Sequence, residues 1–516
     1  MSFMRHSRQH SVLGFMPLVT GATFIAASLS AAMLTLLPSS SAIAEEQGLL
    51  EELVVTARKR EQNLQDVAVG VSLLSSKAMI DAQIRSADEL ASLIPTLNVQ
   101  ASSGASTSSF NIRGIGTQAF SPGVEPSVLT MLDGVTLGRS GMAFIDMVDI
   151  ERIEVLRGPQ GTLYGKNASG GVIHIITQDP TPEFSGSVRA IAIEDDEYRF
   201  GGTVAGPLTD TLSVRLSGSA IDDDGFAKNV VDGENINNSE SYTVRGKFLW
   251  QPREDLELMW ASDYSETDCD CTALSIRSVM ESPSQDALLQ ELQPLNIGDE
   301  NQDVSNDQPT FSEIDASGHS LTVNWEADAF IVTSITAYRD WDHISIVDLD
   351  NRPTNPIGLD FIIPPETNQE QFSQELRFSS VNASWGSWVI GAFYFEQDVE
   401  TGNTTAAGPL APIIPATTRV SSTEVSGENI ALFGEVSYDI TDKWQGTVGV
   451  RYTQEDLEYH TLDIGTDNLV FGPDGESRDT LSDSDISPKL ALKWQAAEKV
   501  MVYASYVSGY KGPAFD

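Results

Sequence analysis

Residues Glu151–Thr177 read ERIEVLRGPQGTLYGKNASGGVIHIIT, two apolar runs on either side of a glycine-rich segment. The β-branched and aliphatic residues of both runs predict two strands, and the glycines between them predict tight turns. Gly165 followed by Lys166 invites comparison with a phosphate-binding loop. However, three residues rather than four separate Gly161 from Gly165, and Asn167 follows the lysine. The spacing excludes a phosphate-binding loop, and we interpret the glycines as structural.

The N-terminal segment has the features of a secretory signal peptide. Arg5 and Arg8 precede an apolar stretch over residues 12–37, and small residues lead to Ala44, which two glutamates follow. This pattern predicts a signal peptide over residues 1–44 that is cleaved after Ala44. An uncleaved anchor helix is the alternative, because the apolar stretch is long enough to span a bilayer.

The chain is strongly acidic, with a formal net charge of −43. Binding to a phosphate backbone needs clustered lysines and arginines, so this composition excludes nucleic acid as a partner. The sequence offers no serine-hydrolase elbow, no zinc-protease motif and no convincing Ser/His/Asp arrangement. We therefore predict that the protein is not an enzyme and has no catalytic residues.

The two cysteines, Cys269 and Cys271, lie in an acidic D-C-D-C sequence. A disulfide that closes so small a ring would be strained, and a zinc site would need two further ligands that are not found nearby. A loop feature without a binding function is the third interpretation. The role of these cysteines stays open at this point, and no metal site is predicted.

From about Glu183 onward, polar and apolar residues alternate in segments of about ten residues, which is typical of membrane β-strands. One such segment alternates Tyr242, Val244, Phe248 and Trp250 with Thr243, Arg245 and Lys247. A period of two places the apolar set on the lipid face and the polar set in the lumen. A soluble antiparallel sandwich would show the same alternation.

The connections between these segments distinguish a membrane barrel from a soluble sandwich. Short turns alternate with long acidic loops, as in outer-membrane barrels, and a sandwich gives no reason for that alternation. Short turns are predicted near residues 208–210, 252–255, 327–329, 440–443 and 496–499. Long loops are predicted near residues 222–241, 265–318, 342–370, 398–427 and 455–483. All eight tryptophans lie at or beyond Trp250, several at strand ends, which suits an interfacial aromatic girdle.

Several motifs resemble the plug domain of TonB-dependent outer-membrane receptors. Leu64–Val67 and Ala91–Pro95 resemble its opening, Arg113-Gly114 its Arg-Gly motif and Asp133-Gly134 its strand-turn motif. The stretch quoted first resembles the end of the plug. Its matching residues are Glu154, Arg157, Gly158, Tyr164 and Gly165. His174 departs from the family pattern, which usually has asparagine there.

The resemblance implies a mainly β fold: a mixed α/β plug followed by an antiparallel transmembrane barrel. The family barrel has 22 strands, whereas we count about 13 here, an odd number that cannot close an antiparallel barrel. We therefore expect that the chain is truncated at Asp516. The expected organisation is a signal peptide (1–44), a periplasmic leader (45–60), a plug (61–180) and an incomplete barrel (181–516).

The leader contains a candidate TonB box, which we define as Glu52–Ala57 (ELVVTA). It is a short β-prone segment in a polar context, and such a segment can add as a strand to a partner's sheet. An ordinary first strand of the plug is the alternative. For Arg113, Glu154 and Arg157 two roles stay open, namely ties to the barrel lumen that loosen during transport, or static pairing within the plug.

The segment Ser505–Lys511 (SYVSGYK) resembles a motif in the barrels of the iron-complex branch of the family. The resemblance implies a receptor in the bacterial outer membrane, in contact with its lipid. It implies import of a scarce ligand, most plausibly a ferric siderophore, driven by TonB and its inner-membrane energising complex. No permanently bound cofactor is expected. Cobalamin, haem or saccharide receptors of the same family and a passive porin are the alternatives, with His343 and His460 as weak candidates for haem ligation.

Overall fold

The computed structural model describes residues 54–60, 62–100, 105–117, 123–144, 146–193, 196–270, 274–283, 285–307, 310–346, 351–353, 366–381, 384–407, 417–465 and 473–515. These ranges belong to one compact unit, Leu53–Asp516. The predicted signal peptide lies outside the described residues. We refer to the described residues before Glu183 as the plug.

The plug is built from three small sheets. Its ten strands are β1 (Val54–Val55), β2 (Gln62–Asn63), β3 (Gly70–Ser75), β4 (Leu97–Gln100), β5 (Ser109–Ile112), β6 (Ile115–Gly116), β7 (Val128–Leu132), β8 (Val135–Leu137), β9 (Ile150–Arg157) and β10 (Gly171–Thr177). The largest sheet has the order β3-β9-β10-β7-β8, in which only β10 and β7 run parallel. Strands β1 and β2 form the second sheet, and strands β4, β5 and β6 form the third, in the order β4-β5-β6.

The stretch Glu151–Thr177 forms the centre of the largest sheet. It supplies β9 and β10, which pair with each other, and between them the one-turn helix α2 (Gly161–Tyr164). A Cβ at Gly171 would collide with the carbonyl oxygen of Leu156 on the neighbouring strand, so glycine is required at that crossing. The predicted pair of strands around a glycine-rich turn is confirmed.

The helices of the plug are shorter than the sequence predicts. From the sequence alone, residues 77–94 predict one continuous helix that Pro95 ends. In the structure, α1 (Ser76–Asp81) ends early and a separate 3₁₀ turn follows at Ala87–Ser92. Gln83 adopts a left-handed conformation (φ 56°), and the amide of Ile84 donates to the carbonyl oxygen of Met79. This six-to-one hydrogen bond is the Schellman arrangement that ends helices, which a pattern of apolar residues does not reveal.

The remaining helical segments are minor. They are the 3₁₀ turns Leu64–Asp66, Ala105–Thr107 and Ser140–Ala143 and the helix α3 (Gln285–Glu291). Within the described ranges, no helix has the length and apolar character needed to cross a membrane.

A sheet of thirteen antiparallel strands follows the plug, and we call it the wall. Its strands, in spatial order, are β11 (Ser185–Ile193), β12 (Glu197–Thr209), β13 (Leu212–Asp223), β16 (Ser239–Arg253), β17 (Leu256–Cys269), β18 (Phe311–Glu326), β19 (Phe330–Ile346), β20 (Glu366–Ser380), β21 (Gly386–Ala407), β22 (Thr417–Thr441), β23 (Trp444–Gly465), β24 (Gly475–Ala497) and β25 (Val500–Val507). The two-residue strands β14 (Ala227–Lys228) and β15 (Asn235–Ile236) pair outside it. The expected count of about 13 strands and the mainly β fold are confirmed.

The two faces of the wall have opposite chemistry, as the alternation predicts. On β16, Tyr242, Val244 and Phe248 are exposed, whereas Arg245 and Lys247 point toward the plug and are buried. Aromatic pairs mark the end of the wall that carries the short turns, including Trp444 and Trp494 with ring centroids 5.5 Å apart. A second band of rings toward the long-loop end includes Tyr242–Tyr264 and Phe372–Tyr394. These bands fit the interfacial girdles of a membrane barrel.

The long loops are shorter than the sequence predicts. β21 and β22 occupy much of the expected loop 398–427, and β23 and β24 occupy most of the expected loop 455–483. The ladder continues because its backbone hydrogen bonds do not require an apolar face. Beyond the aromatic band most residues on both faces of the sheet are polar, so the alternation that identifies strands weakens in the sequence.

The outer face of β23 offers a test of membrane position. Val450 and Leu462 lie on that face, 51% and 39% exposed, but Leu462 is far beyond the aromatic band. We expect Val450→Arg to destabilise the membrane-inserted fold by about 2–4 kcal/mol and Leu462→Arg by about 0–1 kcal/mol. Urea unfolding in lipid vesicles measures both. Equal effects of the two substitutions would contradict this placement.

Candidate functional site

The described part of the box segment is a strand with one partner only. Val54 and Val55 pair with Asn63 and Gln62 in a two-stranded sheet that is separate from the large plug sheet. Val55 and Ala57 are buried. Glu52 and Leu53, which the sequence assigns to the same segment, lie outside the described residues.

Thr56, in the box segment, is held by three side chains of the plug. Its amide donates to both carboxylate oxygens of Glu154 at 2.9 and 3.0 Å. Its hydroxyl lies 3.2 Å from Glu154 and 3.2 Å from Nδ1 of His174. Its carbonyl oxygen accepts a hydrogen bond of 3.1 Å from the Tyr164 hydroxyl. Every polar group of Thr56 therefore bonds to the plug, and we call this arrangement the Thr56 latch.

The surroundings of the latch determine which tautomer His174 adopts and keep the His174 and Tyr164 side chains neutral. The amide of Gly134 donates to Nε2 of His174 at 3.0 Å, so Nδ1 carries the proton and donates to Thr56. Burial lowers the pKa of His174, although Glu154 and Asp133 oppose the shift. Burial also raises the pKa of Tyr164, which keeps its phenol a donor. Glu154 is fully buried and also accepts from Nε of Arg152 at 2.9 Å.

The two residues after the box segment tie it to the wall. Arg58 pairs with Glu435 of β22, which also pairs with Lys489 of β24 at 2.7 Å. Lys59 pairs with Glu375 of β20, and its ammonium lies over the ring of Tyr164 at 5.5 Å. Burial lowers the pKa of Lys59 to about 8 despite its carboxylate partner. The sequence did not single out these two basic residues, because their partners lie more than 300 residues away.

A second tie joins the glycine-rich turn to the wall. The ammonium of Lys166 donates to Glu125 at 2.7 Å and to Glu455 of β23 at 2.5 Å. Glu125 also accepts from Asn167 at 2.9 Å and from Gln397 of β21 at 2.8 Å. Burial opposes ionisation of Glu125, but Lys166 and Asn167 outweigh it and lower its pKa. Lys166, which a nucleotide-binding loop would aim at phosphate, is therefore occupied by two carboxylates.

A third set of ties involves the Asp133–Gly134 turn and its surroundings. Asp133 accepts from the amide and hydroxyl of Thr177 at 2.8 and 2.6 Å and lies 3.1 Å from the Lys247 ammonium of β16. Burial opposes its ionisation, but Lys247 and Thr177 outweigh it and lower the pKa of Asp133. Asp149 forms two hydrogen bonds of 2.6 Å with the guanidinium of Arg215 in β13. Two inward-facing basic residues of the wall, Lys247 and Arg215, thus pair with plug carboxylates.

The other motif residues have local roles in the plug. Arg113 and Gly114 form an exposed turn between β5 and β6 with φ of 53° and 79°, and Asp133 and Gly134 form a turn of the same kind. Arg157 donates to the carbonyl oxygens of Gly70 and Val71 at 3.4 and 3.3 Å.

The glycines that the sequence singled out lie at turns. Gly158 has a φ of 88°, and Gly165 has a φ of 87° and packs against the guanidinium of Arg451. Glu154 pairs with Arg152, and Arg157 bonds to two backbone carbonyls of the plug, so the ties to the wall described above come from other residues. Whether any of these contacts loosens during transport stays a prediction.

The candidate metal and haem ligands are dispersed. His343 is buried in β19, 5.5 Å from the Trp341 ring and 3.1 Å from Ser312, and His460 lies on the outer face of β23 between two glutamates. Both therefore lie in strands rather than in the predicted loops. Cys269 ends β17 and is disulfide-bonded, and Cys271 lies outside the described residues. Among the described side chains, no group of three or more His, Cys, Asp or Glu could hold a metal ion.

The plug is tied by ion pairs to the polar face of an antiparallel sheet whose outer face carries two bands of aromatic rings. This combination is typical of outer-membrane receptors that contain a plug. Residues 63–172 match the TonB-dependent Receptor Plug Domain, and residues 280–516 match the TonB dependent receptor-like beta-barrel. The chain belongs to the TonB-dependent receptor family and is a protein of the bacterial outer membrane. The resemblance on which the sequence-based interpretation relied is confirmed.

Individual relatives agree with this assignment. The pesticin receptor of Yersinia pestis is 25% identical over 93% of this chain, which spans 66% of that relative's length. The vitamin B12 transporter BtuB of Photobacterium profundum is 29% identical over 40% of this chain and 36% of its own.

Two solved structures share the fold. The ferric yersiniabactin uptake receptor FyuA of Yersinia pestis aligns with a TM-score of 0.73 at 21% identity over 86% of this chain and 65% of its own. The ferric-catecholate import receptor Fiu of E. coli aligns with a TM-score of 0.68 at 14% identity, over 88% and 71% of the two chains.

Removal of the latch carboxylate should free the box segment. Glu154→Gln keeps the shape of the side chain but replaces a charged acceptor of Thr56, a loss of about 1.5–3 kcal/mol, so the detached population should rise about ten- to a hundredfold. The labelling rate of a cysteine at the buried Val55 by an impermeant maleimide, in a Cys269→Ser/Cys271→Ser background, measures detachment. Asp81→Asn, at an exposed carboxylate of the plug that pairs with Lys77, is the control. Identical rates in both variants would contradict the latch.

The latch should also weaken in acid because His174 has to stay neutral. Its pKa in the latch lies below the ordinary 6.5, so the detached state binds more protons and is favoured as the pH falls below 6.5. Glu154 and Asp133 favour the charged ring, whereas Arg152 and Lys59 oppose it. The same labelling rate, divided at each pH by the rate of the reagent with free cysteine to remove the change in thiolate fraction, should rise from neutral pH to about pH 5 in the parent and stay flat in His174→Asn. A flat profile in the parent would refute this role of His174.

Proposed function

We propose that the protein is a TonB-dependent importer of a scarce ligand, most plausibly a ferric siderophore, into the periplasm. The observation that carries this proposal is the Thr56 latch, next to a two-residue strand that pairs with only two residues of β2. Such a strand can add to the sheet edge of a partner once the latch and the ion pairs of Arg58 and Lys59 have opened. TonB and its inner-membrane energising complex are the expected partner, drawing on the proton gradient.

The connection from the latch into the plug supports a transport role. Glu154 and His174 lie in β9 and β10, the central strands of the plug sheet, and Tyr164 ends the helix between them. A pull on the box segment would therefore act on the centre of the plug rather than on its rim. A passive porin requires neither a plug nor a strand that binds a periplasmic partner, so this arrangement favours an energised importer.

The relatives favour iron complexes as the ligand class. Proteins named for ferric yersiniabactin and ferric-catecholate uptake share the fold, and the pesticin receptor aligns with most of the chain. The partial match to a vitamin B12 transporter keeps cobalamin as the second candidate. We infer a receptor without enzymatic activity and without a permanent cofactor, in contact with outer-membrane lipid. Ligand recognition is assigned to the long-loop end of the wall.

A proline in the box segment tests energised import. Val54→Pro removes a backbone donor and disfavours strand addition to TonB, whereas Val54→Thr keeps the β-branched shape and the donor. Uptake of radioiron-labelled ferric yersiniabactin, with a ferric catecholate as the second probe, should be lost in Val54→Pro and retained in Val54→Thr. Binding to de-energised cells should be the same in both. Undiminished uptake by Val54→Pro, or after deletion of residues 52–57, would refute the energised-importer proposal.

A further inference from the structure

Glu435 of β22 is shared between the plug and the wall. Its Oε1 accepts from Nε of Arg58 at 2.7 Å, and its Oε2 lies 2.7 Å from the ammonium of Lys489 in β24. All three side chains are buried, with at most 9% of any of them exposed. One oxygen of this carboxylate therefore serves the segment that follows the box, and the other oxygen serves a cation that belongs to the wall.

Glu375 of β20 repeats this arrangement. Its Oε2 pairs with Lys59, and its Oε1 accepts from the guanidinium of Arg377 in the same strand at 2.7 Å. The carboxylate is buried, and Arg377 is more exposed than Lys489, at 19% against 7%. The two basic residues that follow the box are thus each held by a carboxylate that already has a cation of its own.

The latch carboxylate follows the same rule within the plug. Glu154 accepts from the amide of Thr56 at 2.9 and 3.0 Å and from Nε of Arg152 at 2.9 Å. Each of the three carboxylates that hold residues 56–59 therefore has a second cation that is not part of the segment. These cations are Arg152 of β9, Arg377 of β20 and Lys489 of β24, and we call them the resident cations.

Two other ties between plug and wall use one cation per carboxylate. Among the described side chains, Lys166 is the only cation within 4 Å of Glu455, and Arg215 is the only one within 4 Å of Asp149. Withdrawal of such a cation would leave a buried carboxylate without compensation, which is strongly destabilising. The segment that follows the box can leave without that penalty, because each of its carboxylates keeps a resident cation.

Sharing also weakens the contacts that have to break. Arg58 and Lys489 both lie 2.7 Å from Glu435, so their positive charges repel each other while they divide one negative charge. The pairs on β20 stand in the same relation. The attraction between the segment and each glutamate is therefore smaller than it would be in an exclusive pair.

We propose that the resident cations Lys489 and Arg377 make the box segment releasable, because they keep the two wall glutamates neutralised while Arg58 and Lys59 withdraw. The inference rests on the proposed import function and concerns how the same box segment becomes available to TonB. Each wall glutamate has two cations while the segment is attached and one after its release, so neither state leaves a bare buried carboxylate. Removal of a resident cation should therefore tighten the hold on the segment, although it deletes an ion pair from the wall.

Lys489→Met tests this role in the labelling assay with a cysteine at Val55 described above. Without its resident cation, Glu435 depends on Arg58 alone. We expect labelling to slow about tenfold, which lies within the range of coupling between residues of one ion-pair network. Lys489→Arg should restore the parent rate. Arg377→Met should act in the same direction with a smaller effect, because a more exposed cation contributes less.

Two controls separate this role from a general contribution to stability. Arg339→Met removes a buried wall cation whose carboxylate partner, Asp263, lies on another wall strand, so labelling should keep the parent rate. In an Arg58→Met background, Lys489→Met should have no further effect, because Glu435 then loses no partner when the segment leaves. A purely structural contribution of Lys489 would persist in that background and would count against the proposal.

Uptake of radioiron-labelled ferric yersiniabactin connects release to import. We expect Lys489→Met to lower uptake, with binding of the same complex to de-energised cells unchanged. Unchanged or faster labelling in Lys489→Met, or slower labelling with undiminished uptake, would overturn the role of the resident cations while the import function stands. Slower labelling together with no uptake of this complex or of a ferric catecholate by the parent would instead refute the import function and leave the charge sharing in place.

Discussion

Charged side chains enclosed between the plug and the wall have to be neutralised, and this requirement shapes both parts. A charge that is buried without a partner costs several kcal/mol, so each inward-facing lysine, arginine or glutamate of the wall needs a counterpart on the plug. Glu435 meets Arg58, Glu455 meets Lys166 and Arg215 meets Asp149. Charge pairing thus helps to set the position of the plug, together with apolar contacts such as those of Trp341 and Phe433 of the wall.

The same pairing joins the plug to separate regions of the wall. Lys59 pairs with Glu375 of β20, and Gln371 of that strand bonds to the backbone of the plug. On β22 and β23, Arg58 pairs with Glu435 and Lys166 pairs with Glu455. The two basic residues that follow the box segment therefore anchor it to two different strands of the wall, beside the Thr56 latch.

The β architecture was largely predictable from the sequence, because strand alternation and turn length are local properties. About 13 strands were counted, and thirteen are present. The errors also have local causes. The expected helix over residues 77–94 is interrupted at Gln83, a residue with no compositional sign of a helix end. The expected loops at 398–427 and 455–483 are mostly strands, since a ladder with two polar faces has no periodic signature.

By itself, the sequence determined the family, the order of plug and wall, and the two turns at Arg113–Gly114 and Asp133–Gly134, because each depends on neighbouring residues. It also indicated that the polar face of the wall would carry Arg245 and Lys247. Only the tertiary structure decided which charges meet, because partners such as Lys59 and Glu375 are hundreds of residues apart and no local pattern encodes their pairing. Likewise, only the fold showed that His174, a departure from the family pattern, contacts Thr56, since the box strand and β10 belong to different sheets and no local pattern encodes their approach.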